Sequence, residues 1–286
     1  MKPEIKRVVI LTHGEAAVAA EALRQSLAFL AGRDVEVLVP PPERGKHSDI
    51  LAAAGSVAVV NDTQDLKGVG LCLVLGGDGT MLRGFHLTRG LRIPVAGVNL
   101  GRVGFLTTIR SDEVTLGLTR LLAGEFTEHP LLGLEAKLGT AVYAAANDVV
   151  VNKGDSPHPC SLALTINDVT LFEVLCDGVV VGTPAGSSAY SLAAGGPLLG
   201  IAVQAYVISL VAPHAVGVRP VVAAPEDVLQ IINTSDNACC AMDVDGQRVN
   251  VLAPGAVLRI NASQTMTSLA LLKGDSLYHH FRDRLL

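Results

Sequence analysis

The chain has 286 residues, enough for two modest domains, and 49% of them are hydrophobic, so a substantial core needs no crosslinks. A formal charge of −5 with no run of Lys or Arg argues against a nucleic-acid-binding face, and the lack of Trp argues against a stacking platform for single strands. An acidic chain that binds anions has to use backbone N–H groups, helix N-termini and a few placed cations.

The opening MKPEIKRVVILTHGE has too short an apolar run for a signal segment, and no stretch approaches 18 uncharged apolar residues. A cytoplasmic protein without membrane partners is expected. Five cysteines, none in C-x-x-C spacing, suit reduced and mostly buried thiols rather than a disulfide framework or a zinc site.

Arg7–Leu11 reads as a buried strand, Glu15–Ala31 as a helix stopped by Gly32, and Val35–Val39, Val57–Val60 and Gly70–Leu75 as further buried strands. Thr80–Arg89 reads as a helix ending at Gly90, Pro94–Val98 as a strand, and Ser111–Leu122 as a helix capped by its opening Ser-Asp-Glu. This alternation predicts a doubly wound, mostly parallel sheet over residues 1–125. Residues 126–269 read as predominantly β. Short apolar runs there are broken by Lys153-Gly154, Asn167-Asp168 and Asp177-Gly178, and Asp245-Gly246 signals a hairpin. Val257–Ile260 and Ser268–Leu272 read as separate strands. The charged, amphipathic end of the 270–286 tail is expected to return to the first domain.

The most informative local element is Leu73-Val74-Leu75-Gly76-Gly77-Asp78-Gly79-Thr80. An apolar strand runs into three glycines, one acid and a Thr placed to cap the next helix. Glycines let backbone N–H groups approach an anion closely. The loop lacks both the Gly-Lys-Ser/Thr end of a P-loop and the third glycine of the dinucleotide fingerprint. A carboxylate in a phosphate cradle repels its ligand, so Asp78 needs a reason. It accepts the proton of an attacking hydroxyl, helps hold the Mg²⁺ of a nucleotide, or makes an Asx-type turn.

Gly76–Thr80 resembles the signature of a kinase superfamily that includes NAD kinases, diacylglycerol and sphingosine kinases and, more distantly, 6-phosphofructokinases. The stretch Asp177-Gly178…Thr183-Pro184-Ala185-Gly186-Ser187-Ser188-Ala189-Tyr190-Ser191…Gly195-Gly196-Pro197 resembles the NAD kinase family's D-G-x-x-x-x-T-P-T-G-S-T-A-Y-S-x-x-A-G-G-P. Gly97–Leu106 resembles G-I-N-x-G-x-x-G-F-L, Pro213-His214 with Arg219-Pro220 resembles P-H-x-x-x-x-R-P, and Asp245-Gly246-Gln247 resembles D-G-Q. The chain departs from the pattern with Asn147-Asp148 for Asn-Glu, with Ala185 and Ser188 for two threonines, and with Leu175 where many members carry a basic residue.

The resemblance implies a kinase that moves the γ-phosphoryl group of ATP to the 2′-hydroxyl of NAD, with Mg²⁺ arriving on the nucleotide. It implies Asp78 as general base, with Gly77 and Gly79 approaching the nucleotide by their backbone. Asn147, Asp148, Ser188, Ala189 and Tyr190 hold the adenosine half. Ser191, Ala193, Asp177, His158, Ala212 and Gln247 are further substrate contacts, some of them across a subunit boundary of a homodimer or homotetramer. A lipid kinase of the same superfamily and a nucleotide-binding regulator without catalysis are the competing readings. The hydroxyls of the Thr183–Pro197 stretch favour a soluble nucleoside over a lipid.

Overall fold

In the computed structural model, residues 4–55, 57–101 and 104–285 are described, and they divide into two compact units: Met1–Pro130 with Thr267–Leu286, and Leu131–Met266.

The first unit is built on a parallel sheet. Its strands lie in the order Pro94–Asn99, Leu71–Gly76, Arg7–Thr12, Glu36–Val39, Val57–Val59. Ser268 and Leu269 add parallel pairs to the outer edge at Pro94 and Val95. Val8, Val9, Ile10 and Leu71 to Leu75 are all buried, because helices cover both faces and every residue of a central parallel strand needs an apolar neighbour. Helices Ala16–Ala31 and Val114–Leu122 share a core with one face. Helix Asp78–Leu87 packs on the other, where Gly84 lets it close on Val74 and Val95. The C-terminal helix Leu277–Leu285 belongs to this unit.

The second unit is a β-sandwich. A six-stranded antiparallel sheet runs Val221–Ala223, Tyr206–Val211, Gly178–Gly182, Asp148–Asn152, Cys240–Val244, Gln247–Leu252. The second layer pairs Val169–Cys176, Cys160–Ile166, Leu229–Asn233 and the beginning of Val257–Leu272. Apolar residues from both layers merge into one core. The hairpins at Asn167-Asp168 (φ 49° and 65°) and Asp245-Gly246 (φ 47° and 77°) have positive φ at both central residues, the backbone that two-residue loops require.

Several local expectations need correction. The first helix ends at Ala31 with Gly32 as its C-cap, as expected, but Gly32 sits at φ −68° and the left-handed residue of the turn is Asp34. The helix after the glycine loop begins at Asp78, with Gly77 at its N-cap; Thr80 lies inside the first turn and makes no cap bond. Ser111–Glu113 form a 3₁₀ turn ahead of Val114–Leu122, again without a side-chain cap. Pro41–Lys46 and Ser48–Ala53 are short helices in a stretch to which the sequence reading assigns no element; Pro41 starts the first because it needs no N–H partner there. The two strands read at Val257–Ile260 and Ser268–Leu272 are one strand, Val257–Leu272. Arg102 and Val103 of the Gly97–Leu106 motif lie outside the described residues.

Candidate active site

In the first unit, strand Leu71–Gly76 passes into helix Asp78–Leu87 through a single residue, Gly77. That abruptness depends on Gly76, where a β-carbon would overlap the buried hydroxyl of Thr80. A cavity of about 540 Å³ opens beside the loop, walled by His13, Gly14 and Glu15 on one side and Gly77, Gly79 and Arg83 on the other. A β-carbon on Gly77 or Gly79 would meet nothing within 4 Å, so the loop backbone faces open space. Two helices, Ala16–Ala31 and Asp78–Leu87, start at this cavity and aim unpaired N–H groups and positive dipole ends near it.

Asp78 itself is not among the residues that line this cavity. Oδ2 accepts the N–H of Phe105 at 2.8 Å and Oδ1 the N–H of Leu106 at 3.0 Å. Each oxygen keeps a lone pair for a further donor. Beside it the buried Thr107 hydroxyl has no hydrogen-bond partner among the described residues.

Behind the cavity lies a buried carboxylate that sequence reasoning missed. Glu43, 1% exposed, is 2.8 Å from Lys46 Nζ and 2.6 Å from an Arg83 nitrogen, and it accepts the Thr12 hydroxyl. Burial pushes its pKa up, but hydrogen bonds from Lys46, Thr12 and Arg83 outweigh that and hold it below the ordinary value. His47 Nε2 lies 2.8 Å from Thr12 Oγ1, and burial, then Lys46, lowers its pKa, so the ring stays neutral near pH 7. Arg83 was missed as well, although its place five residues past Asp78 on the same helix was a signal that could have found it; Glu43 gave none.

In the second unit, Asn147 and Asp148 stand where the chain enters strand Asp148–Asn152. The carboxylate of Asp245 accepts the N–H groups of Ala146, Asn147 and Asp148 at 2.7 to 3.0 Å. Thr183 donates to Ala146 O at 2.6 Å and accepts the Gly186 N–H at 3.0 Å. Gly186 has to be glycine, since a β-carbon would overlap the Asn147 carbonyl. Asn147 Oδ1 is buried without a partner among the described residues. Asp148 is 6% exposed, and burial, then Asp245 and Asp243, raises its pKa to about 7.

Residues 1–126 match the family model described as the ATP-NAD kinase N-terminal domain, and residues 146–272 match its C-terminal domain. The chain belongs to the ATP-NAD kinase family. It is 33% identical to an NAD kinase of Heliobacterium modesticaldum over 77% of this chain and 80% of that one. It is 30% identical to an NAD kinase of Moorella thermoacetica over 98% and 89%. Its fold is similar to that of a yeast NADH kinase solved with NADH (TM-score 0.87, 23% identity, 99% of this chain and 88% of that one). It is also similar to that of an Archaeoglobus fulgidus NAD kinase solved with ATP (TM-score 0.68, 21% identity, 97% of each).

Within this kinase chain the expected contacts fall into separate groups. Gly77, Asp78 and Gly79 share the first unit's loop. Asn147, Asp148 and Gln247 gather around the Asp245 turn, where Val244 pairs with both Val149 and Gln247. Asp177 stands at the far end of the same strand pair, since Gly178 faces Asn152 while Gly182 faces Asp148. Four residues of strand put the two ends about 13 Å apart. Asp177 is 2.9 Å from Lys153 Nζ and its N–H bonds Val211 O, next to the exposed Ala212 at φ 45°. His158 is exposed in the loop before Cys160, and its backbone N–H and carbonyl bond the Ser156 hydroxyl.

The hydroxyl-rich segment differs from expectation. It is a 3₁₀ turn, Ala185–Ser188, and a short helix, Tyr190–Ala193, broken at Ala189 (φ −95°, ψ −126°). Thr183, Ser187 and Ser191 are fully buried. Ser187 donates to Pro184 O and accepts the Leu199 N–H, and Ser191 bonds Ser209, so these hydroxyls hold the turn rather than face outward. Ser188 is half-buried, while Ala189, Tyr190 (44%) and Ala193 are exposed.

Proposed function

We propose that this protein transfers the γ-phosphoryl group of ATP to the 2′-hydroxyl of the adenosine ribose of NAD, producing NADP and ADP. The observation that carries this reading is the glycine loop. Its open backbone lines a cavity of about 540 Å³, and its one acid, Asp78, is held by the N–H groups of Phe105 and Leu106. The triphosphate, with its Mg²⁺ as part of the substrate, lies on the glycine backbone with Pγ toward Asp78. The ribose hydroxyl meets Asp78 there, within attacking distance of Pγ.

In the transfer, O2′ attacks Pγ, the bond from Pγ to the β–γ bridging oxygen breaks, and the hydroxyl proton passes to Asp78. Little covalent work is left for the protein, so positioning and charge neutralisation dominate. Asn147 and Asp148 hold the adenosine ribose and Tyr190 covers a ring, with Ser188 and Ala189 completing the wall. Ser191 and Ala193 shape that wall, and Gln247 adds a contact from the Asp245 turn. Asp177, Ala212 and His158, some 13 Å along the strands, serve the other end of a dinucleotide or a neighbouring copy in a homodimer or homotetramer. The enzyme works in the cytoplasm.

The test is to incubate purified protein with NAD, ATP and Mg²⁺ and to read NADP with an NADP-specific dehydrogenase. Product that requires both substrates supports the reading. Folded protein that yields no product removes it, and saturable NAD binding in that case would favour a regulator.

A further inference from the structure

Two cations share the buried carboxylate of Glu43, so the cluster behind the loop carries a surplus positive charge. Lys46 is 2.8 Å from Glu43 and also donates to Thr12 O and His13 O, so its ammonium is spent on the protein. His47 is buried and neutral. Arg83 differs. Its side chain is 40% exposed while Glu43 is 1% exposed, and it lines the cavity at the glycine loop. It donates to Thr12 O at 3.0 Å and to Glu43 at 2.6 Å, which uses two of the five N–H donors of a guanidinium. An arginine held from behind at two points presents its remaining edge in a fixed direction, which suits the planar fork to phosphate oxygens. Glu15, the acid on the opposite wall, is exposed, so solvent screens it.

Resting on the proposed kinase reading, we infer that Arg83 grips the phosphate chain of the donor nucleotide in the cavity beside Gly77 and Gly79. Glu43 and Thr12 are positioning residues that act through it. A purely structural ion pair would bury the arginine with its carboxylate instead of leaving it at the mouth of a cavity walled by open glycines.

The test is steady-state kinetics of the full chain with ATP and NAD varied in turn, together with calorimetric ATP binding in the absence of NAD. Arg83→Ala raises KM for ATP by roughly 10- to 100-fold, the cost of losing charged hydrogen bonds. It leaves KM for NAD within about twofold, and Arg83→Lys recovers part of the loss. Glu43→Gln moves KM for ATP the same way, and the Arg83→Ala/Glu43→Gln double variant is no worse than Arg83→Ala alone. Unchanged KM for ATP in a folded Arg83→Ala overturns the inference, and additive losses in the double variant overturn the positioning role of Glu43. The two readings fail separately. A wild-type protein that binds ATP through Arg83 but forms no NADP keeps this inference and loses the kinase reading.

Discussion

Gly104 stands where a β-carbon would overlap Oδ1 of Asp78. The glycine is there because the acid of one loop has to nest against the backbone of another, accepting the N–H groups of Phe105 and Leu106. Gly104→Ala should push Asp78 out of place without touching the cavity side of the loop. Misplacing a reacting group by about an ångström can cost on the order of 100-fold in rate. We expect kcat to fall at least tenfold in Gly104→Ala with KM for ATP little changed. Asp78→Asn should lose about 10²- to 10⁴-fold, the span of a general base, while NAD binding is retained. Turnover unchanged in folded Asp78→Asn would remove it from the mechanism.

Asp148 is the group through which pH should act. Burial, then Asp245 and Asp243, raises its pKa to about 7. Asp245 faces it with three backbone N–H groups in its grip, and Asp243 is held by Asn152 and Arg248. An unfolded Asp titrates near 3.9, so between roughly pH 4 and 7 the folded chain keeps a proton that the unfolded chain has lost. Its stabilising contribution is therefore complete below about pH 4 and is lost as pH rises through about 7, by on the order of 4 kcal/mol. Asp148→Asn abolishes this slope. In urea unfolding the variant should gain on the wild type from about pH 4 to 7 and level off above that, and a difference that does not vary with pH would refute the assignment. A ribose diol is held by the ionised form, so KM for NAD should also fall from pH 6 to 8 in the wild type and stay flat in the variant.

These two cases show which features a linear reading reaches. The glycine loop, the Asp245-Gly246 hairpin and the β-rich second half were visible because each is local chemistry: φ, alternation, an acid among glycines. Glu43 was not, since it comes to Arg83 from 40 positions away by folding alone. The hydroxyls of Thr183, Ser187 and Ser191 misled for a related reason. A serine beside a turn looks the same in sequence whether it faces a nucleoside or its own backbone, and these three hydroxyls are buried and bonded to the protein itself. The separation of Asp177 from Asp148 was hidden too, because a continuous motif spans both ends of one buried strand.

Thr183 tests that inward role. Its hydroxyl ties Ala146 O to the Gly186 N–H, joining the Asn147-Asp148 corner to the 3₁₀ turn. Thr183→Val keeps the volume and leaves both backbone groups unpartnered in a dry site, which should cost about 1–3 kcal/mol. Tm should drop by roughly 2–4 °C per kcal/mol for units of this size. If the hydroxyl instead contacts nucleotide, stability would hold and only KM for NAD would rise.

The loop that grips Asp78 is itself held from its far side by the C-terminal helix. Phe281 packs on Phe105 with ring centroids 5.6 Å apart, Tyr278 meets Phe281 edge-on at 5.9 Å, and His280 Nδ1 lies 3.2 Å from the Gly104 carbonyl. An aromatic pair of this kind contributes about 0.5–1.5 kcal/mol beyond its burial, enough to bias a short loop between two positions. Phe281→Ala should therefore lower kcat by about tenfold while both KM values stay within about twofold, because the contacts of the helix fall on Gly104 and Phe105, beside the base, and not on Leu100 and Gly101, which line the cavity. Tyr278→Ala, one ring further from Gly104, should show the same signature more weakly. A lower Tm with kcat intact in Phe281→Ala would make the helix a simple closure of the fold. A fall in kcat that tracks the order Phe281, Tyr278 instead ties the end of the chain to the geometry of Asp78.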